Sequence, residues 1–165
     1  MSFVQFFVPG IPQAQGSKAV NRNTGGLYET NKKLLPWRSE MIAVAKVAMQ
    51  DRQPFTGPVR VQLTAVFPRP KTHYGTGRNA DLIKESAPQF HCQKPDADKL
   101  ARAVLDALTI AGVWRDDAQA TFVSIQKNWG GGTYTPGMSI FVQDAIEDVP
   151  LPRHQRPIET LETLL

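Results

Sequence analysis

The chain is poor in cysteine: Cys92 stands alone among 165 residues. A single thiol excludes an intramolecular disulfide and fits a reducing compartment. Long apolar runs are missing as well. No stretch reaches the roughly 18 apolar residues of a membrane-spanning helix, and no charged-then-apolar leader precedes the first apolar run. The expectation is a cytoplasmic protein with no membrane association. Internal repeats and low-complexity segments are also lacking, so neither a repeat array nor a biased linker is expected.

What is present is enough for one ordinary folded domain, with 41% hydrophobic residues. Net charge is +4 but unevenly spread. Residues 1–95 hold 13 Lys/Arg against 5 Asp/Glu, a net of +8, whereas residues 96–165 hold 6 against 10, a net of −4. A basic half attracts phosphate backbones, and a separate acidic cluster can hold cations. Chance asymmetry on a solvated surface is the plain alternative.

The apolar pattern predicts a strand in "FVQFFVPG" (3–10), then a polar loop over 11–30 with a hairpin turned at "NTGG". Trp37, Met41, Val44, Ala45 and Ala48 share one face of a helix from Leu35 to Asp51. Val59, Val61, Leu63, Ala65 and Phe67 alternate along a half-buried strand that stops at Pro68 and Pro70. Residues 68–95 show no period, and such long loops are usually functional or disordered. Arg69, Lys71, His73, Arg78, Lys84, His91 and Lys94, with Tyr74 and Phe90 between them, suit nucleic acid.

A second helix is expected over about 97–110, with Leu100, Ala103, Val104, Ala107 and Leu108 inside. Leu105 lies beside the outer polar stripe of Asp98, Arg102 and Asp106. A strand over 118–129 follows, then a closing strand over 138–145. The fold expected is α/β, in the order β-α-β-α-β-β, with a mixed sheet carrying the helices and a hairpin at its end. One domain would occupy residues 1–148, and 149–165 would be a tail with a short helix.

The chemistry centres on "KPDADKLARAVLDAL" (94–108) and on "DD" (116–117). Asp96 and Asp98 stand where a helix starts, and such acids ordinarily cap. Asp98, Arg102 and Asp106 make an ordinary ion-pair ladder, and "DDAQ" matches a capping box. The helix is about 20 Å long. The acids at its two sides therefore meet only if the segment after Gly112 folds back along it. If they do, carboxylates with no Cys or His partner suit Mg²⁺ or Mn²⁺ rather than zinc. Arg102 would then neutralise charge on a phosphorus under attack, in outline a phosphodiesterase. The adjacent His91 and Cys92 lack the second pair that a zinc site needs.

"KPDADKLARAVLDALTIAGVWRDDAQ" resembles the signature of the RusA family of Holliday-junction resolvases, endonucleases common in phages and prophages. The likeness is close over 94–119 and weaker over about 3–143, including "VPGIPQAQGSK". It implies a small α/β homodimer acting with Mg²⁺ on four-way DNA junctions inside a bacterial host cell. By position, Asp96, Asp98 and Asp117 would bind metal, with Asp116 and Asp106 as supporting acids. Lys99 stands where better-known members have Asn, and Arg102 where they have a catalytic Lys. Arg keeps the charge but not the capacity for proton transfer. The expected DNA contacts are Lys18, Arg22, Arg69, Lys71, Arg78 and Lys94. Two other readings stay open: a junction-binding protein without catalysis, and a broader flap or branched-DNA nuclease.

Overall fold

A computed structural model describes residues 2–16, 18–20, 22, 25–132 and 134–145, without the side chains of 18 and 27–29. The expected tail, 149–165, lies outside the described residues. Strands β1 (Phe3–Pro9), β4 (Val59–Phe67), β5 (Ala120–Trp129) and β6 (Gly137–Asp144) form one sheet in the order β1-β6-β4-β5. Strands β2 (Lys18–Val20) and β3 (Leu27–Glu29) pair antiparallel as a separate unit, and the expected turn at 23–26 lies partly outside the described residues. Helices α1 (Leu34–Met49) and α2 (Ala97–Ala111) complete a single α/β domain with a mixed sheet.

Periodicity explains why these segments form. In β4 the residues Val59, Val61, Leu63, Ala65 and Phe67 are buried while Arg60, Gln62 and Thr64 alternate outward. Their partners on the inner face are Val142, Ile140 and Met138 of β6. α2 buries the five residues read from its pattern, and α1 buries Leu34, Trp37, Met41, Ala45 and Met49. The outer face of the sheet carries Phe3 stacked on Phe141, and the Arg60 guanidinium lies 4.6 Å from the Phe122 ring centroid.

The expected terminal hairpin does not form. β5 runs parallel to β4 at the sheet edge, and β6 inserts antiparallel between β4 and β1. The glycine-rich turn crosses the end of β4, with Gly130 N donating to Phe67 O at 2.7 Å. The central strand β4, buried along one whole face, thereby gains a partner on each edge.

α2 stops where glycine lets it. Gly112 has φ +79°, and the N–H groups of Gly112 and Val113 close the last turn onto Thr109 O and Leu108 O, both at 3.1 Å. The residues after it return along the sheet as β5, which sets where each acid lies.

Candidate active site

β5 runs back along α2, so the two ends of α2 meet different parts of that strand. At the start of α2, Lys127 Nζ donates to Gln93 O at 2.7 Å and to Pro95 O at 2.6 Å. Asp117 begins the short 3₁₀ turn Asp117–Gln119, which follows the far end of α2 and leads into β5. The 15 residues of α2 separate the two ends by about 22 Å. The structure thus places Asp96 at the N-cap and Asp98 in the first turn of α2 and leaves Asp116 and Asp117 beyond its opposite end. The fold-back expected after Gly112 does occur, but it carries Lys127, not Asp117, to the first two acids. Among the described residues no three His, Cys, Asp or Glu side chains gather as a metal site.

Asp96 occupies the N-cap position with extended backbone, yet its side chain makes no cap hydrogen bond. Its carboxylate pairs instead with Lys99 Nζ at 2.9 Å. That hydrogen bond and the Lys99 charge, with Lys94 and Lys127 adding, hold the Asp96 carboxyl below the usual aspartate value. Lys99 is raised in return. Asp98, in the first turn, is exposed and makes no ion pair among the described residues.

Asp96, Lys94, Pro95 and Lys99 line one side of a cleft of about 500 Å³. Ile11 to Gly16 form the other side, held by Gln15 N donating to Lys99 O at 3.2 Å and Asn31 Nδ2 to Ala14 O at 3.0 Å. This is the "IPQAQG" stretch, and its packing gives it a place beside the acids. The Gln15 Oε1 atom is buried there without a hydrogen-bond partner.

Other expected roles sort differently. The ladder does not form: Asp106 Oδ2 lies 3.5 Å from Arg38 Nη2 of α1, and Arg102 is exposed with no ion pair among the described residues. The capping box at "DDAQ" does form, with Asp116 Oδ1 accepting from Ala118 N at 2.8 Å. Gln119 Oε1 accepts from Asp116 N at 3.2 Å. Asp116 is therefore occupied by structure. His91 is buried, its ring 4.1 Å from that of Phe67 and 4.2 Å from that of Trp129. It packs in the interior and does not belong with the basic surface groups. Cys92 is exposed and shares no metal cluster.

Of the expected DNA contacts, Lys71, Arg78, Arg22 and Lys94 are exposed. Arg69 is partly tied down, its Nε donating to Gly130 O at 2.7 Å and its Nη1 to Pro88 O at 2.9 Å. Lys18 lies in β2, with its side chain outside the described atoms.

The family described as endodeoxyribonuclease RusA matches residues 9–143. The chain belongs to that family. A comparison with curated proteins finds no match. The RusA match runs from the end of β1 into β6 and so includes the cleft, both acid groups and the whole basic loop. Membership implies an endonuclease acting on DNA junctions.

Sequence reasoning missed Lys127 in this RusA chain. No local signal marks it, because it reaches residues 93–95 only through the pairing of β5 with β4. The donors at the start of α2 are carboxylate oxygens, the class of ligand that Mg²⁺ takes, but among the described residues no cluster of three such groups forms there. The carbonyls of Gln93 and Pro95 accept from Lys127 and the Asp96 carboxylate pairs with Lys99, so a bound cation would compete with Lys99 for Asp96.

Proposed function

We propose that this chain is a Mg²⁺-dependent, structure-selective endonuclease that nicks phosphodiesters at four-way DNA junctions, with Mn²⁺ able to substitute. Its work would be recombination and repair in the cytoplasm of a bacterial host carrying the phage or prophage. One observation carries the reading. Asp96 stands at the N-cap without capping, and its carboxylate faces a basic cleft beside a second exposed acid. An N-cap aspartate that leaves the backbone donors and lines the cleft supports a ligand-binding use of its carboxylate.

When bound, the ion would supply Lewis-acid polarisation of the phosphate and activation of a water. Asp96 and Asp98 would hold it. Lys99 keeps Asp96 ionised, and Lys94 at the cleft wall attracts the flanking phosphates. Arg102, one turn beyond Asp98 and with no ion pair among the described residues, would take up charge on the phosphate oxygens.

Asp117 joins this set only from a second copy. The distance along α2 keeps Asp117 from its own Asp96, but two α2 helices packed antiparallel about a two-fold axis would reverse that. Each Asp96 and Asp98 would then meet Asp117 of the partner subunit. The homodimer supplies two such sites, as a junction needing two nicks requires.

The test is subunit mixing. Alone, Asp96→Asn and Asp117→Asn should each lose Mg²⁺-dependent nicking of a labelled four-way junction while retaining binding. Mixed, the two variants should regain nicking on one strand, since half-sites from different chains reunite one intact set. Failure to complement would mean that Asp117 acts within its own chain or not at all. Binding without nicking by the wild-type protein in Mg²⁺ would instead favour the non-catalytic junction binder.

A further inference from the structure

A second cleft, of about 420 Å³, lies at the same end of the sheet and is lined by Arg69, Gln89, Gln126, Asn128, Gly131 and Tyr134. Gln126 and Asn128 flank Lys127 in β5 and so project from the opposite side of that strand. The two clefts therefore sit back to back across the strand end. The segment between them is pinned at several points. Trp129 N donates to Gln89 O and His91 N to Lys127 O, both at 3.0 Å, while Lys127 Nζ holds Gln93 and Pro95.

The lining is chemically selective. Gln126 Nε2 donates to Asn128 Oδ1 at 3.0 Å, which leaves the Gln126 carbonyl oxygen and the Asn128 amide hydrogens free, an acceptor beside a donor. Among the described residues no carboxylate lines the cleft, and the one charged residue there is Arg69. Carbonyls hold Arg69 at Nε and Nη1, so its Nη2 presents a fixed positive edge. Tyr134 is 69% exposed at the rim. Phe90, 54% exposed, is the bridge partner of Asn128 and stands on the same side of the strand. Gly131 (φ +118°) closes one wall, where a Cβ would come within 2.9 Å of the Tyr74 hydroxyl.

A neutral donor–acceptor pair, exposed rings and a pinned guanidinium match the edge, the faces and the phosphate of one nucleotide. We propose that this second cleft takes an unpaired nucleobase from the DNA strand whose phosphate lies at Asp96 and Asp98. It deepens the junction-nuclease reading and rests on it: the protein would unstack a base beside the nick and read it there. A duplex cannot offer such a base without opening, whereas a branch point can do so at lower cost.

The experiment uses synthetic four-way junctions with one abasic residue at successive positions around the nick. Affinity is measured in Ca²⁺ and nicking in Mg²⁺, for the wild type, for Gln126→Ala/Asn128→Ala and for Tyr134→Ala. One abasic position should weaken wild-type binding about tenfold, the scale of one base–aromatic stack. The same lesion should change binding by Tyr134→Ala less than about twofold, and by Gln126→Ala/Asn128→Ala less than in the wild type, since base and pocket are then coupled. A flat abasic profile in the wild type, or an undiminished one in both variants, would overturn the base pocket and leave the nuclease reading standing. If the wild type neither binds nor nicks the intact junction, the nuclease reading fails and the base pocket with it.

Discussion

Asp96 and Asp116 stand at equivalent positions, each one residue before a helical segment, and the side chains do opposite things. Asp116 accepts a backbone hydrogen bond and belongs to a reciprocal box with Gln119, whereas Asp96 leaves the backbone and pairs with Lys99. The box at "DDAQ" was legible because its partners are three residues apart, within reach of local geometry. That Asp96 declines to cap was not legible, since the same residue type at the same position serves both uses. The two acids should separate by measurement. Asp116→Ala should lower unfolding stability by about 1 kcal/mol, as loss of a cap does. Asp96→Asn should leave the urea midpoint unchanged while abolishing nicking. If Asp96→Asn unfolds the protein as readily as Asp116→Ala, Asp96 has a structural role that its observed partners do not account for.

At the scale of elements, α2 was readable almost to the residue, because an acidic start and a glycine stop bracket a strong apolar stripe. The placement of β6 between β1 and β4 was not, since strand order depends on pairings 71 to 140 residues apart in sequence. The strap at the start of α2 is invisible for the same reason. Lys127 spends two charge-assisted hydrogen bonds on the carbonyls of Gln93 and Pro95, fixing the backbone from which Asp96 and Asp98 project. Lys127→Met keeps much of the side-chain stem but removes both donors. It should cost about 1–3 kcal/mol of stability. Amide exchange over 91–98 should quicken while the centre of β4 stays protected. Unchanged exchange over 91–98 would mean that the segment is held by its pairing with β5 alone.

For the whole molecule, the two clefts lie at one end of the sheet, where Phe67 lines one and its register partner Trp129 lines the other. The Phe67, His91 and Trp129 rings pack there beneath the strap that joins the two clefts. Sequence suggested a cationic His91 among other basic groups, but its neighbours on β4 and β5 come from tertiary pairing and bury it. A free imidazole titrates near 6.5. Burial, with the charge of Lys127 adding, holds His91 below that value and outweighs the backbone of His91 and Gln93, which favours the proton. Between the lowered native value and 6.5 the unfolded chain binds a proton that the native state refuses. The contribution of His91 to stability is therefore intact above about pH 6.5 and is lost progressively as the pH falls below it. Melting temperatures measured from pH 7.5 down to pH 5 should decline more steeply for the wild type than for His91→Phe, which cannot take up the proton. Parallel declines would mean that His91 is protonated in place, with the ring stack tolerating a charge that its burial argues against.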